Sequence, residues 1–413
     1  MNIDDLLKIS VERGASDLHL KVGNHPILRV NGALQPLVEL KRLMQENTIA
    51  MSYSMMNDIQ KERFKREHEL DMAYSVAGLG RFRCNVFHQR GAVGIVMRVI
   101  PTQVKTISDL NLPVVIERIA NERRGLILVT GTTGSGKSTS LAAMIDFINT
   151  HRLEHIITIE DPIEYLHRDK KSIVNQREIG QDTESFSKAL RASLREDPDV
   201  ILVGEMRDME TIETALMAAE TGHLVLSTLH TLDAPETINR IISIFPPHQQ
   251  KQIRIQLAAV LKSVISMRLI PRADEKGRVP AVEILITTSY IQECIMDQEK
   301  TKLLKDAISA GVSQYGMQTF DQSLYFLFQK GLITYDEALK WTSNPDEFKL
   351  KKIGLQSTKD MSMEEMEKRM SDIGNNSGSE ITSLGGDMGY GTNKNQPNAD
   401  TYKDHNLLEL EDL

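Results

Sequence analysis

The chain has 413 residues, 40% hydrophobic and 26% charged, which suffices for two cores of ordinary size with some residues left over. A formal net charge of −8 and the lack of a long basic run set aside nucleic acid as the main partner. Only two cysteines, Cys84 and Cys294, are present, far apart and without CxxC spacing, so neither a disulfide framework nor a zinc site is supported, and no run nears the roughly 20 apolar residues that span a bilayer, so a soluble or membrane-peripheral protein of a reducing compartment is expected.

Residues 1–101 read as a small α/β domain with an antiparallel sheet. Ile3 to Arg13 alternate as a short amphipathic helix closed by Gly14, followed by the strands DLHLKV and PILRV around a turn at Gly23-Asn24. Asn31-Gly32 is a hairpin turn. One helix is expected around Gln45 to Phe64, and then three alternating strands, LDMAYSV, RFRCNVF and VGIVMRVI. In the middle strand Phe82, Cys84 and Val86 share one face while Arg81, Arg83 and Asn85 share the other. Two guanidinium groups therefore project side by side, with Arg90 and Arg98 in adjacent segments. Beside a nucleotide domain, such a surface suits anion binding across an interface.

The stretch PTQVKTISDLNLP (101–113) carries two prolines and polar groups without periodicity, and residues 102–113 read as a linker or hinge. From 114 to 290, apolar strand runs (ILVT, HIITIE, VILVG, LVLSTLH) alternate with helical patterns, the signature of a parallel α/β sheet. The segment RGLILVTGTTGSGKST at 124–139 is its centre. Gly131, Gly136, Lys137 and Ser138 fall on the G-x-x-x-x-G-K-[ST] spacing between a strand and a helix. Glycines let backbone N–H groups close on a phosphate, the lysine neutralises β- and γ-phosphate charge, and the Ser138 hydroxyl is a ligand for Mg²⁺.

Ligands of such sheets gather at the carboxyl ends of the strands, where Glu160-Asp161, Glu205 and His230 stand. Glu205, after VILVG, is the first choice for metal contact, and Glu160 for polarising the attacking water; on spacing alone either fits the other role. Asp161, before Pro162, reads as a carboxylate at a helix N-terminus. His230, at the γ-phosphate end of its strand, is suited to sensing nucleotide state, while His223 anchors the other end. Asp233 and Glu236 read as a capping box.

Residues 291–350 read as a helical region, with Thr319/Gln322 and Thr334/Glu337 spaced as capping boxes and Gly331 as a helix stop. Residues 351–413 turn rich in Gly, Asn, Ser and Asp and are expected to be a disordered tail, with a brief helix at MEEMEKRM and an acidic, apolar end at LLELEDL.

Four segments in order, GTTGSGKST (131–139), ITIEDPIEY (157–165), LREDPDVILVGEMRD (194–208) and TGHLVLSTLHT (221–231), resemble the Walker A, Asp box, atypical Walker B and His box of the type II/IV secretion ATPases. Within them the chain is similar to the PilT/PilU branch, the type IV pilus retraction ATPases. The resemblance covers about residues 1–350. It implies a RecA-like P-loop NTPase domain behind a PAS-like N-terminal α/β domain, assembled as a homo-hexamer, hydrolysing ATP with Mg²⁺ to power pilus retraction and twitching motility. It further implies a cytoplasmic protein, peripheral at the inner face of the cytoplasmic membrane, partnered by the pilus platform protein and by a paralogous retraction ATPase. Residue by residue, it assigns nucleotide binding to Gly131, Thr132, Thr133, Gly134, Ser135, Gly136, Lys137, Ser138 and Thr139, water activation to Glu160, a metal-linked role to Glu205, and approach to the phosphates from the N-terminal domain to Arg81, Arg83 and Arg98. The tetracysteine motif typical of pilus-assembly and type II secretion ATPases is absent, which favours retraction over that alternative. The segment IQECIMDQEK stands where the family's AIRNLIRE signature lies, and residues 316–339 resemble the PilU version of the C-terminal region. A nucleotide-gated scaffold docking on a paralogous motor is the alternative from another class, and the intact Lys137, Glu160 and Glu205 weigh against it.

Overall fold

The computed structural model describes residues 2–101 and 103–353. The N-terminal part runs α1 (Ile3–Glu12), β1 (Asp17–Leu20), β2 (Ile27–Val30), β3 (Ala33–Pro36), α2 (Gln45–Met55), α3 (Asp58–Glu67), β4 (Glu69–Val76), β5 (Gly80–Gln89) and β6 (Ala92–Val99). The six strands form one antiparallel sheet in the order β3-β2-β1-β6-β5-β4. Asn31 and Gly32, both at positive φ, close the two-residue turn between β2 and β3, as the Asn-Gly pair leads one to expect. Phe82, Cys84 and Val86 are fully buried against Ile3, Leu6, Leu7 and Phe64, whereas Arg83 is exposed. The single helix expected over Gln45–Phe64 is two. Asn57 interrupts it by capping α3 reciprocally with Gln60: the Asn57 side chain accepts the Gln60 N–H at 2.9 Å and the Gln60 side chain accepts the Asn57 N–H at 3.0 Å.

The second sheet is built from β7 (Gly125–Thr130), β8 (His155–Glu160), β9 (Ile173–Glu178), β10 (Val200–Val203), β11 (Leu224–Leu229), β12 (Leu261–Pro271) and β13 (Arg278–Ile286). Its order is β13-β12-β7-β11-β10-β8-β9, parallel throughout except for the β12–β13 hairpin. Every residue of β7, β10 and β11 is buried, which is why these strands read as unbroken apolar runs. Alternation along β7 divides the core. Ile127 and Val129 pack under α4 (Val115–Ala120) and α5 (Lys137–His151), while Leu126 and Leu128 pack under α6 (Phe186–Ser193), α7 (Met209–Glu220), α8 (Ala234–Ser243) and α9 (Pro247–Val260). Residues 107–112, in the segment read as a linker, form neither helix nor strand, yet Ile107 and Leu112 are buried in the α4–α5 layer.

The C-terminal part comprises α10 (Ser289–Met296), a 3₁₀ turn (Gln298–Leu303), α11 (Leu304–Ala310), α12 (Val312–Tyr315), α13 (Phe320–Gln329), α14 (Tyr335–Trp341) and α15 (Pro345–Lys352). Phe320, Leu324, Leu327 and Phe348 cover the outer end of the β12–β13 hairpin. Thr319 caps α13 in a full capping box, Thr334 caps α14, and Gly331 follows α13 at φ 67°. Because α15 reaches Lys352, the boundary at 350 falls inside a helix. The sequence from 354 onward, with the expected MEEMEKRM helix and the LLELEDL end, lies outside the described residues. Among the described residues no helix is long and apolar enough to cross a membrane.

One buried acid ties the hairpin to the layer beneath. Glu283 on β13, 3% exposed, accepts the N–H of Ala234 at the start of α8 at 2.9 Å. Burial pushes its carboxyl up to about 7, with Asp233 adding to the rise and Lys305 and Arg268 opposing it. Between the ordinary carboxylate range and about pH 7 the folded chain keeps a proton that the unfolded chain has released, so stability falls as pH rises through that window and levels off above it. The loss is of order 3 kcal/mol at most. Glu283→Gln, which still accepts the Ala234 N–H, is expected to flatten the decline in melting temperature between pH 5 and pH 8.

Candidate active site

The loop after β7 turns on three glycines at positive φ, Gly131 (140°), Gly134 (78°) and Gly136 (97°). Gly131 has no room for a side chain: a Cβ there would stand 2.5 Å from the Ser135 Oγ and 2.6 Å from the Met267 carbonyl. Gly131→Ala is therefore expected to destabilise the protein by about 2–4 kcal/mol and to abolish nucleotide binding, read by thermal melting and by titration with a fluorescent triphosphate. Gly136 caps α5, whose first turn holds no acid, so its free N–H groups and positive dipole end face the loop. The buried Lys137 Nζ donates to the Gly131 carbonyl at 2.8 Å and the Thr132 carbonyl at 3.1 Å. Burial lowers its pKa, and the charges of Glu205 and Glu164 counter this. The buried Ser135 Oγ has no hydrogen-bond partner among the described residues. A tight glycine cradle, a buried ammonium and a spare hydroxyl suit a polyphosphate.

This loop forms one wall of a cleft of about 430 Å³. Of the residues singled out by sequence, Thr133, Gly134, Gly136, Lys137, Ser138, Thr139, Glu160, Asp161, Glu205 and His230 line it; Gly131 and Ser135 are buried within the loop, while Thr132 is exposed and offers its carbonyl to Lys137. The strand bearing Glu205 is not the immediate neighbour of the loop strand, since β11 lies between β7 and β10. Leu229 pairs with Thr130, so His230 emerges level with Gly131. It then bridges to Glu205: His230 Nε2 is 3.2 Å from one carboxylate oxygen, and Arg207 holds the other at 2.7 Å. Burial acts to raise the Glu205 pKa, but Arg207 and His230 outweigh it and hold the carboxyl below its usual range. Glu205 is thus an ionised, hard oxygen donor facing the same cleft as the Ser138 hydroxyl, and the pair fits a magnesium ion.

Glu160 is differently placed. One oxygen accepts from the Thr158 hydroxyl (2.7 Å) and the Gln176 amide (3.1 Å), the other from the Glu164 N–H (3.3 Å). Burial nevertheless raises its pKa against these hydrogen bonds. No helix starts at Asp161; residues 161–169 form neither helix nor strand, so the capping role expected there is not realised. The segment instead carries Glu164 into the cleft with its side chain exposed. Glu164, Arg207 and Arg278 are lining groups that sequence reading passed over. A second carboxylate four residues after Glu160 and the E-x-R spacing at 205–207 were the available signals. Arg278 had none, because only the β12–β13 pairing brings it there.

Arg81, Arg83 and Arg98 lie away from this cleft, on the N-terminal sheet. Arg98 donates to Asp17 at 3.0 Å. Burial works to raise the Asp17 pKa, and the Ser16 hydroxyl and Arg98 more than offset it. Arg81 pairs with Glu178 on β9 at 3.0 Å. Arg83, opposite Arg98 in register, has no ion-pair partner among the described residues. His223 Nδ1 meets the Ala218 carbonyl (2.9 Å), while Asp233 caps α8 and pairs with Lys305.

The sequence profile of the family described as Type II/IV secretion system protein matches residues 2–318. The chain is 47% identical over 348 residues to the Pseudomonas aeruginosa type IV pilus retractation ATPase PilT, covering 84% of this chain and 100% of that one. It is 42% identical over 361 residues to the type IV pilus ATPase PilU of the same organism, covering 87% and 94%. Among solved structures, it is similar to a crystal structure of the pilus retraction motor PilT with bound ADP, with 48% identity, a TM-score of 0.77, and coverage of 84% of this chain and 98% of that chain.

Proposed function

Because the chain belongs to the type II/IV secretion system protein family, we propose that it is an ATP-hydrolysing motor of type IV pilus retraction, acting as a ring of six copies at the inner face of the cytoplasmic membrane. One observation carries the reading. A phosphate cradle with a buried lysine faces, across one cleft, an ionised Glu205 held by His230 and Arg207.

The loop N–H groups and Lys137 hold the β- and γ-phosphates and neutralise their charge. Ser138 and Glu205 would hold Mg²⁺, which when bound adds charge neutralisation on the same oxygens. Glu164, whose side chain carries no hydrogen bond among the described residues, takes the proton of the attacking water; Glu160, with both oxygens occupied, orients the Glu164 backbone. Water adds to the terminal phosphorus, the bond to the ADP oxygen breaks, and Lys137 meets the charge that develops there. His230 and Arg207, bound to Glu205, are placed to register loss of that phosphate. Arg83, exposed and without an ion-pair partner among the described residues, is the member of the arginine trio available to reach the phosphates when the N-terminal domain moves over the cleft. That movement, repeated around the ring, would be passed to the pilus platform protein, either alone or alongside a paralogous retraction ATPase.

The test is retraction force measured in cells lacking only this chain. Complete loss of retraction identifies the main motor, and loss only under load an accessory one. Unchanged retraction overturns the proposal.

A further inference from the structure

The N-terminal sheet meets β9 at Glu178. The Arg81 Nη2 on β5 donates to the Glu178 Oε2 at 3.0 Å, and both side chains are largely buried, 18% and 5% exposed. The same oxygen accepts the buried N–H of Ile163 at 3.2 Å. Glu178 ends β9 directly opposite Glu160, the end of β8. Three residues after Ile163, the Leu166 N–H donates to the Pro101 carbonyl at the end of the N-terminal domain (3.3 Å). The irregular segment holding Glu164 is therefore pinned on both sides, at 163 and at 166, by groups of the N-terminal domain or by the carboxylate that domain grips.

We propose that Arg81 is a positioning residue: through Glu178 and the Ile163 N–H it makes the placement of Glu164 depend on the orientation of the N-terminal domain, so that domain movement and hydrolysis share one joint. This reading rests on the proposed function for its consequence but not for its geometry. A carboxylate oxygen shared by a guanidinium and a backbone N–H is a coupled unit, because loss of the cation alters the charge and position of the acceptor that fixes the loop. The Arg81 Nε is buried without a partner among the described residues, so the guanidinium holds Glu178 through Nη2 alone rather than as a bidentate pair.

The test uses the full-length protein and two readouts. Hydrogen exchange of a peptide spanning 161–167 is expected to speed up by ~10-fold or more in Arg81→Ala, with β7 and α5 unchanged. In hydrolysis, Arg81→Ala and Glu178→Gln are each expected to lower kcat by about 10-fold with KM within about twofold, and the double variant to lose no more than the worse single one. Arg81→Lys, which keeps one charged donor, is expected to recover part of kcat. Unchanged exchange at 161–167 overturns the joint whether or not the protein hydrolyses ATP. Multiplied losses in the double variant, or wild-type kcat in Glu178→Gln, would instead place Arg81 on the phosphates directly. If Arg81→Ala does not fold, Glu178→Gln and Arg81→Lys carry the same comparison, and wild-type exchange and kcat in both overturn the proposal.

Discussion

Lys137→Ala is expected to abolish useful ATP turnover, with kcat lowered by ~10²–10³-fold or more. The side chain lies inside the loop, its ammonium donating to two carbonyls of the cradle it serves, Gly131 and Thr132. Removing it leaves these acceptors without their donor, at about 1–3 kcal/mol for each group that stays buried, so some loss of thermal stability accompanies the loss of activity. The larger effect is on chemistry. A positive charge within a part-desolvated cleft stabilises the charge that builds on the β,γ-oxygens far more than the same charge would in water. Burial lowers the lysine pKa while the nearby carboxylates Glu205 and Glu164 support its charged form, so the alanine also removes an ammonium that offsets the charge of both acids, leaving Arg207 and His230 on Glu205. Phosphate release by wild type and variant, alongside binding of a fluorescent triphosphate, checks the prediction. Equal rates in the two would remove hydrolysis from the account of this chain and revive the reading of a nucleotide-gated scaffold.

What the amino-acid sequence disclosed follows from how locally each feature is encoded. β7, β10 and β11 are buried on both faces and so appear as plain apolar runs, and the cradle is a contiguous motif whose residue types are dictated by one ligand. The edge strand β9, IVNQRE, has only its last residue fully buried and carries no such run. The β12–β13 hairpin owes its position to parallel pairing with β7, a contact more than 120 residues distant in sequence. The break between α2 and α3 was legible in principle, since Asn57 and Gln60 have capping spacing, but the charged helical pattern beyond it continued the period. At the site, Glu205 could be read from its place after a strand. The distinction between Glu160 and Glu164 could not, because it depends on Thr158 and Gln176 occupying the first carboxylate and on residues 161–169 leaving the sheet without forming a helix. The arginines show the same limit. Alternation placed Arg81 and Arg83 on one face of β5, but only the packing of β9 gives one of them a buried carboxylate and the other no ion-pair partner among the described residues.

That distinction makes the second large expectation specific: Glu164→Gln should lower kcat by ~10²–10⁴-fold with little change in KM, whereas Glu160→Gln should cost about 10-fold. A general base needs an oxygen that can take a proton as the water attacks. Both oxygens of Glu160 are already acceptors, one of them for the N–H of Glu164 itself. A glutamine at 160 keeps one carbonyl oxygen for those donors but turns its other end into a donor facing the Glu164 N–H, so that contact is lost and the 161–164 segment shifts slightly, which disturbs geometry without removing the base. At 164 the exchange removes the only basic atoms on that side chain while keeping its shape, so nucleotide still binds and the reaction stalls. Burst-free steady-state kinetics on both variants, with triphosphate affinity measured in parallel, separates the two. If Glu160→Gln proves the more damaging, the raised pKa of the buried Glu160 is to be read as that of a working base, and Glu164 as a charge that holds Lys137 in place.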